Sequence, residues 1–121
     1  MNRKPITPKM HGIIDYAFAA ILVLAPPVLK LNKKARRLYK LLGAGVIVYS
    51  ALTDYPAGVI PVIPYQDHQK IDDAIIGAFA VETLNKGITK DKRACAFHIG
   101  ITTLAVITVM LTNWDADPHQ K

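Results

Sequence analysis

The chain has 121 residues, 51% of them hydrophobic, and Lys plus Arg outnumber Asp plus Glu by 15 to 9. That length allows one domain, and so large an apolar share exceeds what a water-soluble chain of this size usually needs. A single cysteine, Cys95, excludes an internal disulfide, and the few aromatics (7%) with no recognition motif exclude nucleic-acid binding despite the net charge of +6.

In chain order, the first apolar segment is expected from about Thr7, an N-cap with Pro8 at the first helical position, to about Leu31. Its basic head resembles a secretory signal. No small-x-small cleavage site follows, however, and Pro26 and Pro27 would obstruct one, so it reads as a retained helix. The second segment begins after Asn32 and is clean from Leu38 to Tyr55. Next comes YPAGVIPVIPYQD, where Pro56, Pro61 and Pro64 forbid a regular helix. It is expected to cover one end of the molecule, with Tyr55 and Tyr65 as interface anchors. The third segment is the weakest as a span: AIIGAFAV is bracketed by Asp72, Asp73 and Glu82, and a Schellman-type stop is expected at Gly87. The fourth, Ala94 to Trp114, has only His98 as a titratable side chain. Segments one, two and four reach the roughly 20 residues a bilayer span requires.

Charge alternates between the segments. The connections between one and two and between three and four hold ten of the fifteen cations: Lys30, Lys33, Lys34, Arg36, Arg37, Lys40, Lys86, Lys90, Lys92 and Arg93. The positive-inside rule places these connections in the cytoplasm, against anionic lipid, and both termini outside.

The sequence also repeats. At an offset of 57, His11, Ile14, Asp15 and Ala17 fall on His68, Ile71, Asp72 and Ala74; with two residues more, Leu52-Thr53-Asp54-Tyr55 falls on Leu111-Thr112-Asn113-Trp114. The expected fold is all-α, a four-helix transmembrane bundle of two parallel helical hairpins. Repeat 1 covers about 8–55, a connecting loop 56–66, and repeat 2 about 67–114, around a pseudo-two-fold axis along the membrane normal.

The runs MHGIIDYAFAAILVLAPP, LGAGVIVYSALTDYPAGVIPVIP and HQKIDDAIIGAFA, over about Lys9 to Trp114, resemble the SPW-repeat family of small bacterial integral membrane proteins. The family's Ser-Pro-Trp triplets correspond here to Ala25-Pro26-Pro27 and Glu82-Thr83-Leu84, so the triplet is half kept once and absent once. The resemblance implies a four-span inner-membrane protein and brings no biochemical activity with it.

Three constellations could carry chemistry. In each of the pairs His11–Asp15 and His68–Asp72 the two residues lie one helical turn apart, and both pairs are expected at the same, outer end of the bundle. Two His and two Asp suit a divalent metal, a haem or a proton path. The plainer expectation is that each His neutralises its own Asp. Asp54 closes the second segment at the same end, where the helix dipole disfavours an acid, and is expected to find Lys9, Lys70 or His68. Glu82 and His98 could pair across the second hairpin, the plainer reading being a Glu82–Lys86 pair at the surface. LGAGV, lacking the Lys-Ser or Lys-Thr of a phosphate loop, reads as small residues for close helix approach.

The reading favoured by the sequence is a non-enzymatic membrane protein with a structural or interaction role, needing no cofactor and compatible with homo-oligomers. A metal-, haem- or proton-binding transport module is the alternative, and a soluble four-helix bundle the third. No nucleophile-base pair supports an enzyme.

Overall fold

The structure, a computed structural model, describes residues 4–119. Among these the protein is all-α, with α1 Pro8–Val28, α2 Lys33–Ala51, α3 Tyr65–Glu82, the single turn α4 Lys86–Thr89 and α5 Lys92–Leu111. Side-chain caps define most starts: the side chains of Thr7, Asn32, Asn85 and Asp91 each accept a backbone N–H of the first turn they precede. The Asp91 carboxyl is held below its ordinary range chiefly by the Ala94 backbone N–H.

α1 ends in a Schellman motif. Pro26 and Pro27 remove two amides from its last turn, Lys30 N donates to Pro27 O and Leu31 N to Pro26 O, and Lys30 takes a left-handed φ of 56°. α3 stops at Glu82 with Thr83 as a right-handed C-cap, five residues before the expected stop. The cause is Asn85, which caps a new turn, so Gly87 lies within α4 and not past a helix end.

α1 and α2 pack along their length, and Gly43 permits the approach: a Cβ there would meet Val23 Cγ2 at 2.7 Å and Ala19 O at 3.0 Å. Gly100, its counterpart in the repeat, has nothing within 4 Å, so the second hairpin is looser. Leu22, Tyr39, Val46, Phe79 and Ile101 form one core drawn from all four long helices. A second cluster of Tyr55, Tyr65 and Trp114 closes the end where α1 and α3 begin and α2 and α5 finish. Tyr55 and Tyr65 are thus buried, contrary to their expected place as interface anchors: their hydroxyls find Asp15 and Asn113 O inside the fold.

The two repeats interlock. Ile6, ahead of α1, pairs with the end of α5 through Ile6 N to Leu111 O (3.1 Å) and Asn113 N to Ile6 O (2.9 Å). Ile63, ahead of α3, pairs with the end of α2 through Ile63 N to Leu52 O and Asp54 N to Ile63 O, both 2.8 Å. Ile6 and Ile63 are 57 residues apart, which extends the internal correspondence beyond the sequence-predicted boundaries. The proline loop lies on α1, where Ala57 O accepts from Tyr16 and Ala57 sits against Gly12.

α1 and α5 are long and apolar enough to cross a membrane, and only 22% of the apolar window of α5 is buried within the protein. α2, with Lys33, Lys34, Arg36, Arg37 and Lys40, and α3, with Asp67, Lys70, Asp72, Asp73 and Glu82, are more charged. Large apolar side chains stand exposed around the molecule, including Ile13, Leu24, Leu41, Val48, Ile99 and Met110.

Candidate metal centre

His11 and Asp15 on α1 and His68 and Asp72 on α3 are all buried and converge on one point. His11 Nε2 stands 3.0 Å from Asp72 Oδ2 and 3.2 Å from Asp15 Oδ1, while His68 Nε2 stands 3.0 Å from Asp15 Oδ2 and 3.4 Å from Asp72 Oδ2. Each imidazole is therefore nearer the other repeat's carboxylate than its own. The expected partnership within each helix forms, but as the longer of two contacts, because α1 and α3 bring both pairs together.

The far nitrogens are held from across the repeats as well. His68 Nδ1 lies 2.7 Å from Thr53 Oγ1, and His11 Nδ1 lies 2.8 Å from Thr112 Oγ1. Each threonine hydroxyl also donates to a carbonyl one turn back, Thr53 to Tyr49 O (2.6 Å) and Thr112 to Thr108 O (2.5 Å). A hydroxyl has one proton and a carbonyl can only accept, so that proton is committed. Each threonine oxygen must then accept from Nδ1–H. The tautomer follows: Nδ1 carries a proton, and in a neutral imidazole the Nε2 lone pair points into the cluster. This is the arrangement by which an outer hydrogen bond orients a metal-ligating histidine.

The carboxylates are supported in turn. Tyr49 donates to Asp72 Oδ1 at 2.6 Å and Tyr55 to Asp15 Oδ2 at 2.8 Å. Trp114 packs its ring on His11, with centroids 4.7 Å apart, and Tyr55 packs on His68 at 5.2 Å. A cavity of about 30 Å³ adjoins the cluster, bounded by Asp15, Asp72, Tyr49 and the apolar Phe18, Val46 and Ile75. It has room for about two water molecules.

This buried group could hold a metal ion. One donor atom from each residue lies within 4.8 Å of all the others. A tetrahedral ion with bonds of about 2.0 Å has ligand–ligand edges of about 3.3 Å; the N···O contacts here run from 3.0 to 3.4 Å, with Asp15 turning Oδ1 to His11 and Oδ2 to His68. His68 Nε2 has no hydrogen bond of acceptable direction among the described residues, although two carboxylate oxygens are near.

The remaining candidates lie elsewhere. Asp54 is at this end of the molecule but pairs with His119 Nε2 at 2.9 Å rather than with Lys9, Lys70 or His68; His68 is already committed to Thr53 and the carboxylates. Glu82 and His98 do not pair, because both His98 nitrogens are occupied, Nε2 by Phe79 O (2.9 Å) and Nδ1 by the Tyr39 hydroxyl (2.7 Å). Glu82 accepts from Asn85 Nδ2 at 2.8 Å, in place of an ion pair with Lys86. Sequence reasoning assigned no role to Thr53, Thr112, Tyr49 or Trp114. The signal for the threonines was present in LTDY and LTNW, where Thr is identical while Asp54 and Asn113 differ.

No protein-family model, no curated protein and no solved structure matches the chain.

Proposed function

We propose that this chain is a non-enzymatic, multi-pass protein of the bacterial inner membrane that binds one divalent transition-metal ion, Zn²⁺ foremost, between its two repeats. The threonine contacts carry this reading: Thr53 and Thr112 hold Nδ1–H on both imidazoles, so each Nε2, once it gives up its proton, turns a lone pair to one point already flanked by two carboxylates. Tetrahedral nitrogen and oxygen donors suit zinc. Four protein donors fill the coordination shell, as in structural sites, and leave no open position for a substrate. The ion would clamp the repeats together at their outer end. A bare ion is favoured over haem because the donors crowd within 4.8 Å and the adjoining cavity is about 30 Å³.

The membrane reading draws on the two apolar helices, the exposed apolar side chains of α1, α2 and α5, and the resemblance to the SPW-repeat family. On this reading the molecule is a four-span bundle of two parallel hairpins, its basic connections are cytoplasmic and both termini are outside.

Elemental analysis of detergent-purified protein, before and after Zn²⁺ titration, tests the metal. One ion per chain is expected, lost in His11→Ala and His68→Ala. A wild-type chain that neither carries nor takes up an ion would sink the proposal.

A further inference from the structure

At the basic end, the last turn of α1 and the first turns of α5 form a groove of about 640 Å³, lined by Val28, Leu29, Lys30, Arg93, Ala96 and Phe97. Two cations stand on otherwise apolar walls. Among the described residues neither cation has a carboxylate partner.

Three observations indicate what fills it. First, on the repeat-related side, where α3 ends and α2 begins, the protein supplies its own filling: α4 packs on α2, Ile88 is buried, Asn32 Nδ2 donates to Gly87 O at 2.7 Å, and Gly87 abuts Lys34. The α1–α5 groove has no such insert, since α1 and α2 are joined by only Leu29 to Asn32. Second, Lys30 holds a left-handed φ of 56° at a Schellman position, where glycine is the unstrained residue. Lys30 lines the groove from that position. Third, Lys30 after α1 and Arg93 in the first turn of α5 line the same groove, while the Asp91 carboxylate that caps α5 is committed to the amides of Arg93 and Ala94 and to Asn32.

Resting on the membrane reading above, we infer that this groove binds one anionic phospholipid, its phosphate between Lys30 and Arg93 and an acyl chain along Val28, Leu29 and Phe97. Apolar walls beside paired cations fit an amphiphile better than a free phosphate ion.

The full chain in a neutral detergent tests this by native mass spectrometry and thermal unfolding, with phosphatidylglycerol, phosphatidylcholine or inorganic phosphate added. Phosphatidylglycerol alone should remain as a one-lipid adduct and raise the unfolding midpoint. Lys30→Gly and Arg93→Gln should each weaken that binding by roughly fivefold. Lys30→Gly should meanwhile unfold no earlier than wild type without lipid, because it relieves the left-handed residue, so a lost lipid shift cannot be blamed on misfolding. An equal response to phosphatidylcholine or phosphate, or an undiminished adduct in both variants, overturns the inference. A chain that stays soluble and monodisperse without detergent would overturn the membrane reading instead.

Discussion

Thr53 and His68 meet at 2.7 Å while the Thr53 proton is committed to Tyr49 O at 2.6 Å, so the hydroxyl of one repeat sets the tautomer of the other repeat's histidine. Thr112 and His11 reproduce the relationship. Removing the hydroxyl while keeping the side-chain shape isolates that role. Thr53→Val or Thr112→Val should lower Zn²⁺ affinity by about 10- to 100-fold, the usual effect of losing an outer-shell partner, and leave Nδ1–H unpaired at a cost of about 1–3 kcal/mol. Competition titration against a chelator measures the first and thermal unfolding the second. Unchanged affinity in both variants would mean that the tautomer is set by something else.

Protons and metal compete for the same two Nε2 atoms. The surrounding titratable groups are Asp15, Asp72, Tyr49 and Tyr55, and the described ion pairs of both carboxylates are to these histidines alone. Two carboxylates can be balanced by two protonated imidazoles or by one divalent ion with both imidazoles neutral. Uptake of one ion should therefore release two protons, and affinity should fall by up to about a hundredfold per pH unit of acidification wherever both histidines are protonated. Zn²⁺ titration in weakly buffered solution reads the release directly. A pH-independent affinity would count against histidine ligation.

Gly43 and Gly100 occupy equivalent places in the repeat but different surroundings. Gly43→Ala should destabilise the protein by about 1–3 kcal/mol through overpacking against Val23 and Ala19 O. Gly100→Ala meets nothing within 4 Å and should stabilise by up to about 1 kcal/mol from helix propensity alone. Unfolding midpoints of the two variants in one detergent decide the matter. Equal effects would show that the hairpins are packed alike.

His98 is a satisfied core residue, so its partners should govern stability and not metal binding. Tyr39→Phe leaves His98 Nδ1 without its donor and should cost about 1–3 kcal/mol, with metal content unchanged. Glu82→Gln should stay within about 0.5 kcal/mol of wild type, since the Glu82 side chain accepts from Asn85 through a carbonyl-type oxygen that glutamine keeps. A large effect of Glu82→Gln on stability would reinstate a role for that acid.

The convergence of His11, Asp15, His68 and Asp72 was legible from sequence because a period of one turn places His and Asp on one helix face, and a repeat at offset 57 brings two such faces to the same end. Their exchange of partners was not legible. Spacing along one helix reveals nothing of which neighbouring helix supplies the nearer carboxylate. The interlocking of Ile6 with α5 and of Ile63 with α2 escaped notice because a single bridged residue leaves no periodicity. α4 escaped because four residues containing glycine form a turn only when Asn85 caps them and Ile88 finds a buried seat. Asp54 met His119 across 65 positions of sequence, a pairing that no local pattern announces.

Because Ile6, Ile63, Thr53 and Thr112 all reach across from one repeat to the other, each hairpin holds the complement of its sister's histidine and not of its own. A lone hairpin would be half a site with an unpaired strand residue, while two identical hairpins related by a two-fold axis would be a whole one, joined by an isologous interface. Fusion into one chain turns that bimolecular encounter into an intramolecular one, so assembly no longer depends on the concentration of partners. It also frees the two halves to diverge, and Gly43 against Gly100, or Asp54 against Asn113, record where they have already done so.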